Sequence, residues 1–277
     1  MGKPEPLCAV LFDIDGTLID TVDLIVQALD YTYRKHLGVA LPRAEIRRLI
    51  GLPLSVQMRY LDDRITGSAP HEQMEADEVA YYAANRHLER VIPEAVHAVQ
   101  TAYRKGYAIG LVTSKNREEL QLSLPKLQLD DFVDTIVSAD DTERHKPNPD
   151  PVLCALERLK VAPECAIYIG DTVFDISCGR AAGVQVAAVA WGAHLPEDLR
   201  AAQPDYYFET PADLLEWIEQ LPVIENHAKA KKGHRVIIAS TVFTDEWVEP
   251  KMVLVNEKNQ IVQHLPFKAQ AVPVELS

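Results

Sequence analysis

The sequence predicts an α/β protein: a doubly wound, mostly parallel sheet with an inserted all-α segment and a short β-rich C-terminal extension. Three observations predict it. Short, continuously apolar runs alternate with helical periodicities over residues 91–221, as buried strands and crossover helices do. Residues 20–90 carry helical periodicity alone, about 70 residues where a crossover needs little more than one helix. After Leu221 a basic stretch gives way to strand-like runs. The expected organisation is a core of residues 1–19 and 91–221, a helical insert at 20–90, a basic linker at 222–235 and a β-rich extension at 236–277.

Taken in order, Leu7–Phe12 reads as a buried strand that runs into Asp13-Ile14-Asp15-Gly16-Thr17. Val22, Ile25, Val26, Leu29, Tyr33 and Leu37 then recur at three and four, an amphipathic helix that Gly38 can end. A helix led by Pro42, a second over Pro53–Leu61 and a third over His71–Arg90 complete the insert, the last with Val79, Tyr82 and Ala83 on its apolar face. Pro93–Lys105 is helical and closed by Gly106. Tyr107–Val112 is the second core strand, followed by Thr113-Ser114-Lys115-Asn116 and a helix over Arg117–Leu129 that Pro125 should break. Asp134–Val137, Ala166–Ile169, Gln185–Ala190 and Tyr206–Phe208 are further strands, and Pro211–Leu221 a closing helix. In the extension, Val236–Ala239, Met252–Val255 and Ile261–His264 read as strands, with Asn256–Gln260 as a hairpin turn.

The 277 residues carry a formal charge of −13. That argues against a general nucleic-acid or membrane-surface binder, because phosphate backbones and anionic lipids select Lys and Arg. The four cysteines make no C-x-x-C pair and are expected to be buried reduced thiols. No run has the length and apolarity of a signal peptide or membrane span, so a soluble cytoplasmic protein is expected. A homodimer stays open.

Four polar clusters fall at strand ends, where open α/β sheets bind ligands. Asp13 and Asp15 lie on the same side of the backbone and repel each other unless a cation sits nearby. Asp171, after the Ala166–Ile169 strand, adds a third carboxylate and so a hard oxygen site for Mg²⁺. Asp175, four residues on, can hold metal-bound water or Lys146. Thr113 can donate to a phosphoryl oxygen, and Lys146, in a stiff Lys-Pro-Asn-Pro loop, supplies a point charge. The combination suits phosphate-ester hydrolysis through a carboxylate: Asp13 attacks and Asp15 moves protons.

In order and spacing these motifs resemble those of the haloacid dehalogenase-like superfamily. The helical insert is similar to the cap of the branch that includes phosphoglycolate phosphatases and PpaX-type pyrophosphatases. The resemblance covers roughly residues 6–221 and implies a Rossmann-like core. It implies Asp13 as nucleophile and Mg²⁺ ligand, and Asp15 as general acid/base whose backbone carbonyl also binds metal. Thr113, Ser114 and Lys146 would then bind phosphate, and Asp171 and Asp175 the metal. Arg47-Arg48-Leu49-Ile50-Gly51 resembles the specificity segment of such caps, and Arg47 is the candidate there for a second anionic group. This favours phosphoglycolate or pyrophosphate among small phosphorylated metabolites.

Each assignment has a plainer rival. Arg47, Arg48 and Lys115 read first as exposed charges, and the cap tyrosines 31, 33, 81 and 82 as packing. A sugar-phosphate mutase of the same fold, and a binding or regulatory protein acting through its C-terminal extension, are the alternative functions. A phosphoryl-accepting signalling receiver is disfavoured, because its acidic pair would be adjacent and it needs no helical insert.

Overall fold

A computed structural model describes residues 6–65, 69–224, 235–239, 251–255 and 261–265. The chain divides into two compact units, Met1–Glu225 and Asn226–Ser277.

The first unit begins with β1 (Ala9–Phe12) and β2 (Ile19–Asp20). Four helices follow: α1 (Val22–Leu37), α2 (Arg43–Arg47), α3 (Leu54–Ile65) and α4 (His71–Ala84). The chain returns through β3 (Arg90–Val91) to α5 (Pro93–Arg104), β4 (Ala108–Val112), α6 (Arg117–Leu127), β5 (Thr135–Val137) and α7 (Asp150–Leu159). It closes with β6 (Ala166–Gly170), α8 (Val173–Ala182), β7 (Gln185–Val189), α9 (Pro196–Ala201), β8 (Tyr206–Phe208) and α10 (Pro211–Gln220).

The sheet order is β5-β4-β1-β6-β7-β8, and every pairing in it is parallel. The winding reverses at β1, the point where open α/β sheets leave a crevice at their carboxyl ends. Successive β1 residues point to opposite faces, and both faces are covered. Val10 and Phe12 join Ile109, Leu111, Ile167 and Ile169 under α5 and α10. Ala9 and Leu11 join Val112, Tyr168 and Val186 under α7 and α8. Full burial of a large apolar side chain contributes about 1.5–3 kcal/mol, so a strand buried on both faces anchors Asp13 in the core.

The helical segment has its own apolar cluster, with Val22, Val26, Leu29, Tyr33, Ile46, Leu54, Met58 and Met74. Two expectations about it change. It is not purely helical at its mouth: β2 and β3 pair antiparallel, Ile19 with Val91 and Asp20 with Arg90. These pieces are too short for periodicity to register. And α4 buries Met74, Glu78 and Tyr82, a stripe at intervals of four that shares only Tyr82 with the Val79, Tyr82 and Ala83 face read in the sequence. Nor does Pro125 break α6. It lies in the last turn of a helix that ends at Leu127, so its missing N–H removes a single hydrogen bond.

The cysteines are all free, with Cys178 buried and the other three partly exposed. No described helix is long and apolar enough to cross a membrane. In the second unit, β9 (Arg235–Ala239), β10 (Lys251–Val255) and β11 (Ile261–Leu265) form an antiparallel sheet in the order β11-β10-β9. The Asn256–Gln260 turn and most of the basic linker, residues 225–234, lie outside the described residues.

Candidate active site

The turn after β1 is built by backbone bonds. The N–H groups of Thr17, Leu18 and Ile19 all reach the Ile14 carbonyl, and Gly16 donates to Ile19. Gly16 has φ +71°, and a Cβ there would come within 2.1 Å of Asp171 Oδ2. Gly16→Ala is therefore expected to destabilise the protein by more than the roughly 1–2 kcal/mol of a left-handed non-glycine residue. Thermal unfolding checks it; an unchanged midpoint would contradict the close approach of this turn to Asp171.

Asp13, Asp171 and Asp175 bring carboxylate oxygens within 4.8 Å of one another, all buried. Asp171 accepts from Thr17 Oγ1 at 3.2 Å and from the Ala193 N–H at 2.6 Å. Asp175 is a different kind of acid. Its Oδ1 takes Lys146 Nζ at 2.7 Å and the Tyr168 hydroxyl at 2.9 Å. Its Oδ2 takes the Thr172 hydroxyl at 2.6 Å and the Thr172 N–H at 3.0 Å. Four donors fill the lone-pair sites of that carboxylate. Lys146, only 2% exposed, also stands 3.0 Å from Asp13 Oδ1.

Charge in this centre is unbalanced. Burial, opposed by Lys146 but reinforced by Asp175 and Asp15, pushes the Asp13 carboxyl up to about 7. Burial, then Asp175 and Asp13, drive Asp171 well above the carboxylate range. Burial works the same way on Asp175, yet Lys146 and the hydrogen bonds from Thr172 and Tyr168 outweigh it and hold Asp175 below. One lysine among three buried carboxylates leaves a negative excess that a divalent cation would relieve. Asp13 and Asp171 keep unfilled oxygen sites for it. A Cβ on Gly16 or on Gly192 would strike Asp171, so both flanks of that carboxylate are bare backbone. The residues fit a hard cation.

Asp15 accepts from Thr21 Oγ1 at 2.7 Å and pairs with Lys115 Nζ at 3.2 Å. Lys115 corrects the sequence reading. It is no exposed charge: it is 5% exposed, with its ammonium 4.5 Å above the Tyr82 ring. Burial opposes that charge, but Asp15 outweighs it and holds the ammonium well above the ordinary lysine range. The signal was present, since alternation after β4 puts Lys115 on the same side as Thr113. The Asn116–Glu119 capping box then starts α6 immediately behind it. The Thr113 hydroxyl accepts the Lys115 N–H at 3.2 Å, which leaves its own proton to donate.

These residues line a pocket whose opposite wall comes from the helical segment, with Ile25, Gly51, Leu54, Gln57, Glu78 and Tyr82. Ser114 lines it too and donates to the Gly51 carbonyl at 2.6 Å, tying β4 to that wall. Tyr82 is held by a 2.6 Å bond from its hydroxyl to Glu89, which also pairs with Lys126 at 2.6 Å. Of the cap tyrosines, Tyr31 and Tyr81 stack at 4.8 Å and Tyr33 is buried on the Gln57 carbonyl. Arg47 stands outside the pocket lining. Its Nε and Nη2 donate to the Ala193 and Gly192 carbonyls, both at 3.0 Å. Sequence reasoning missed Glu78 and Tyr168. Glu78 sat in a charged helix without a distinguishing pattern, and Tyr168 read as an ordinary core residue.

A doubly wound parallel sheet with a carboxylate–lysine centre at its switch point, roofed by helices, defines a capped α/β fold with an acid-centred site. The particular family follows from comparison. The chain belongs to the haloacid dehalogenase-like hydrolases, whose family model matches residues 10–189. A protein of Caldanaerobacter subterraneus subsp. tengcongensis is 37% identical over 217 residues, which cover 77% of this chain and 95% of its own. Pyrophosphatase PpaX of Anoxybacillus flavithermus is 33% identical over 207 residues, 74% of this chain and 94% of that one. In fold, the chain is similar to the crystal structure of a hydrolase from Pseudomonas syringae, with a TM-score of 0.70 at 24% identity over 78% of this chain and 99% of that one.

Proposed function

We propose that this hydrolase is a Mg²⁺-dependent phosphatase that acts on a small phosphorylated metabolite, pyrophosphate or phosphoglycolate foremost, through a phosphoryl group carried on Asp13. One observation carries the reading: Asp13, Asp15, Thr113, Lys146 and Asp171 converge at neighbouring strand ends with more buried carboxylate than Lys146 can balance. The name of the Anoxybacillus flavithermus relative supports the substrate class.

An Asp13 oxygen attacks phosphorus, and the bond to the leaving oxygen breaks as that oxygen takes a proton from the Asp15 carboxyl. Asp15 then takes a proton from water, whose oxygen displaces phosphate from Asp13. Lys146 and the Thr113 hydroxyl stabilise the phosphoryl oxygens, and Asp175 positions Lys146. Mg²⁺, held by Asp13, Asp171 and the Asp15 carbonyl, would supply the positive charge that lets an anionic nucleophile meet an anionic ester. Residues 20–90 act as a cap that excludes bulk water.

Phosphate release from a panel of phosphorylated metabolites, with Mg²⁺ and with chelator, tests the proposal. Release from pyrophosphate or phosphoglycolate that stops on chelation is expected; no Mg²⁺-dependent release from any compound of the panel would defeat it. Arg47 enters indirectly. It holds the Ala193 carbonyl, while the Ala193 N–H holds Asp171. Arg47→Ala is expected to raise the Mg²⁺ concentration for half-maximal activity by up to about tenfold. A change confined to KM would instead give Arg47 a direct substrate contact.

A further inference from the structure

Lys115 is the only basic side chain among the described residues that line the pocket. Arg47, the cation expected there, is engaged with backbone carbonyls. Facing into the same pocket from α4 is Glu78, a carboxyl only 3% exposed whose Oε2 has no hydrogen-bond partner. An unsatisfied buried acid is costly to the fold and rare without a reason. Its neighbours do not quench it. The Tyr82 hydroxyl is turned to Glu89, and the Gln57 amide donates to the Leu52 carbonyl.

We propose that Lys115 and Glu78 form the leaving-group subsite and select a leaving group that ends in a phosphate, Lys115 binding one anionic oxygen and Glu78 donating a hydrogen bond to another. This rests on the phosphatase reading of the same site. The reason is the shape of the group. Burial, then Glu119 and Asp15, against the opposing pull of Lys115, push the Glu78 carboxyl up to about 8, so at neutral pH it carries a proton to donate. A phosphate and a carboxylate can both accept that proton, but a phosphate offers oxygens out of one plane, so Lys115 after β4 and Glu78 on α4 can be met together. Pyrophosphate then fits better than phosphoglycolate.

The test compares kcat/KM for pyrophosphate, phosphoglycolate and p-nitrophenyl phosphate in wild type, Glu78→Met and Glu78→Gln, all with Mg²⁺. Wild type should prefer pyrophosphate to phosphoglycolate. Glu78→Met should lower the pyrophosphate-to-p-nitrophenyl phosphate ratio about tenfold, the worth of one charge-assisted hydrogen bond. Glu78→Gln, which keeps a donor, should lower it less. A ratio unchanged in Glu78→Met overturns the subsite while leaving the phosphatase intact. So does a wild type that prefers phosphoglycolate, a result that needs no variant to fold. Failure of all three substrates would instead overturn the phosphatase reading, and the subsite with it.

Discussion

Asp13→Asn is expected to lower kcat by at least about 10³-fold, because it removes the oxygen proposed to attack phosphorus while leaving the pocket in place. The same change should raise the melting temperature of the metal-free protein. Asp13 is buried against two further acids, and its carboxyl is pushed up from 3.8 to about 7. The unfolded chain therefore releases this proton first. As pH rises from about 4 to about 7 the folded state loses stability, and above about 7 the whole penalty is present. Asparagine has no such penalty. Its stability advantage should grow between pH 4 and 7 and stay level beyond. Mg²⁺ should reverse the order, raising the melting temperature of wild type more than that of the variant. Full activity in Asp13→Asn would remove the nucleophile assignment, and equal Mg²⁺ shifts would remove Asp13 from the metal set.

The second large effect concerns Lys146. Its ammonium is buried between Asp13 at 3.0 Å and Asp175 at 2.7 Å. Burial alone would lower its proton affinity, but Asp13 and Asp175 outweigh burial and raise it above the ordinary lysine value. The stability it confers is thus fully present below the ordinary lysine pKa and is lost only in strong alkali. Lys146→Met leaves two buried carboxylates without their counter-charge, a change that costs about 3–5 kcal/mol in comparable buried pairs. Urea unfolding should show that deficit at pH 8 and a smaller one at pH 5, where the two acids can take up protons. Activity should fall with it. A Lys146→Met protein as stable as wild type at pH 8 would mean that this ion pair does not hold the centre together.

How far the sequence reveals such a site depends on the distance over which its features are written. Apolar strands that end in polar clusters are local patterns, and they disclosed Asp13, Asp15, Thr113, Lys146 and Asp171 together with the parallel sheet that gathers them. Lys115 was misjudged because a lysine after a strand is ordinarily solvated. Only contact with Asp15 and Tyr82, from two other elements, makes its burial sustainable. The place of Arg47, outside the pocket lining, was hidden for the converse reason. Its partners, the Gly192 and Ala193 carbonyls, are backbone groups that no side-chain pattern reports. The β2–β3 pair was missed because two residues carry no period.

By itself the sequence determined the fold class, the order of the core strands along the chain and the chemical types delivered to their ends. Hydrophobic period and turn residues act between near neighbours, and those near neighbours are written side by side. The tertiary structure alone decided which acid is free and which is filled, which cation faces the pocket, and that Glu78 is buried there with an unpartnered oxygen. Those properties come from desolvation and from charges a few ångströms apart in space, supplied by residues far apart in the chain, and they exist only once the chain has folded.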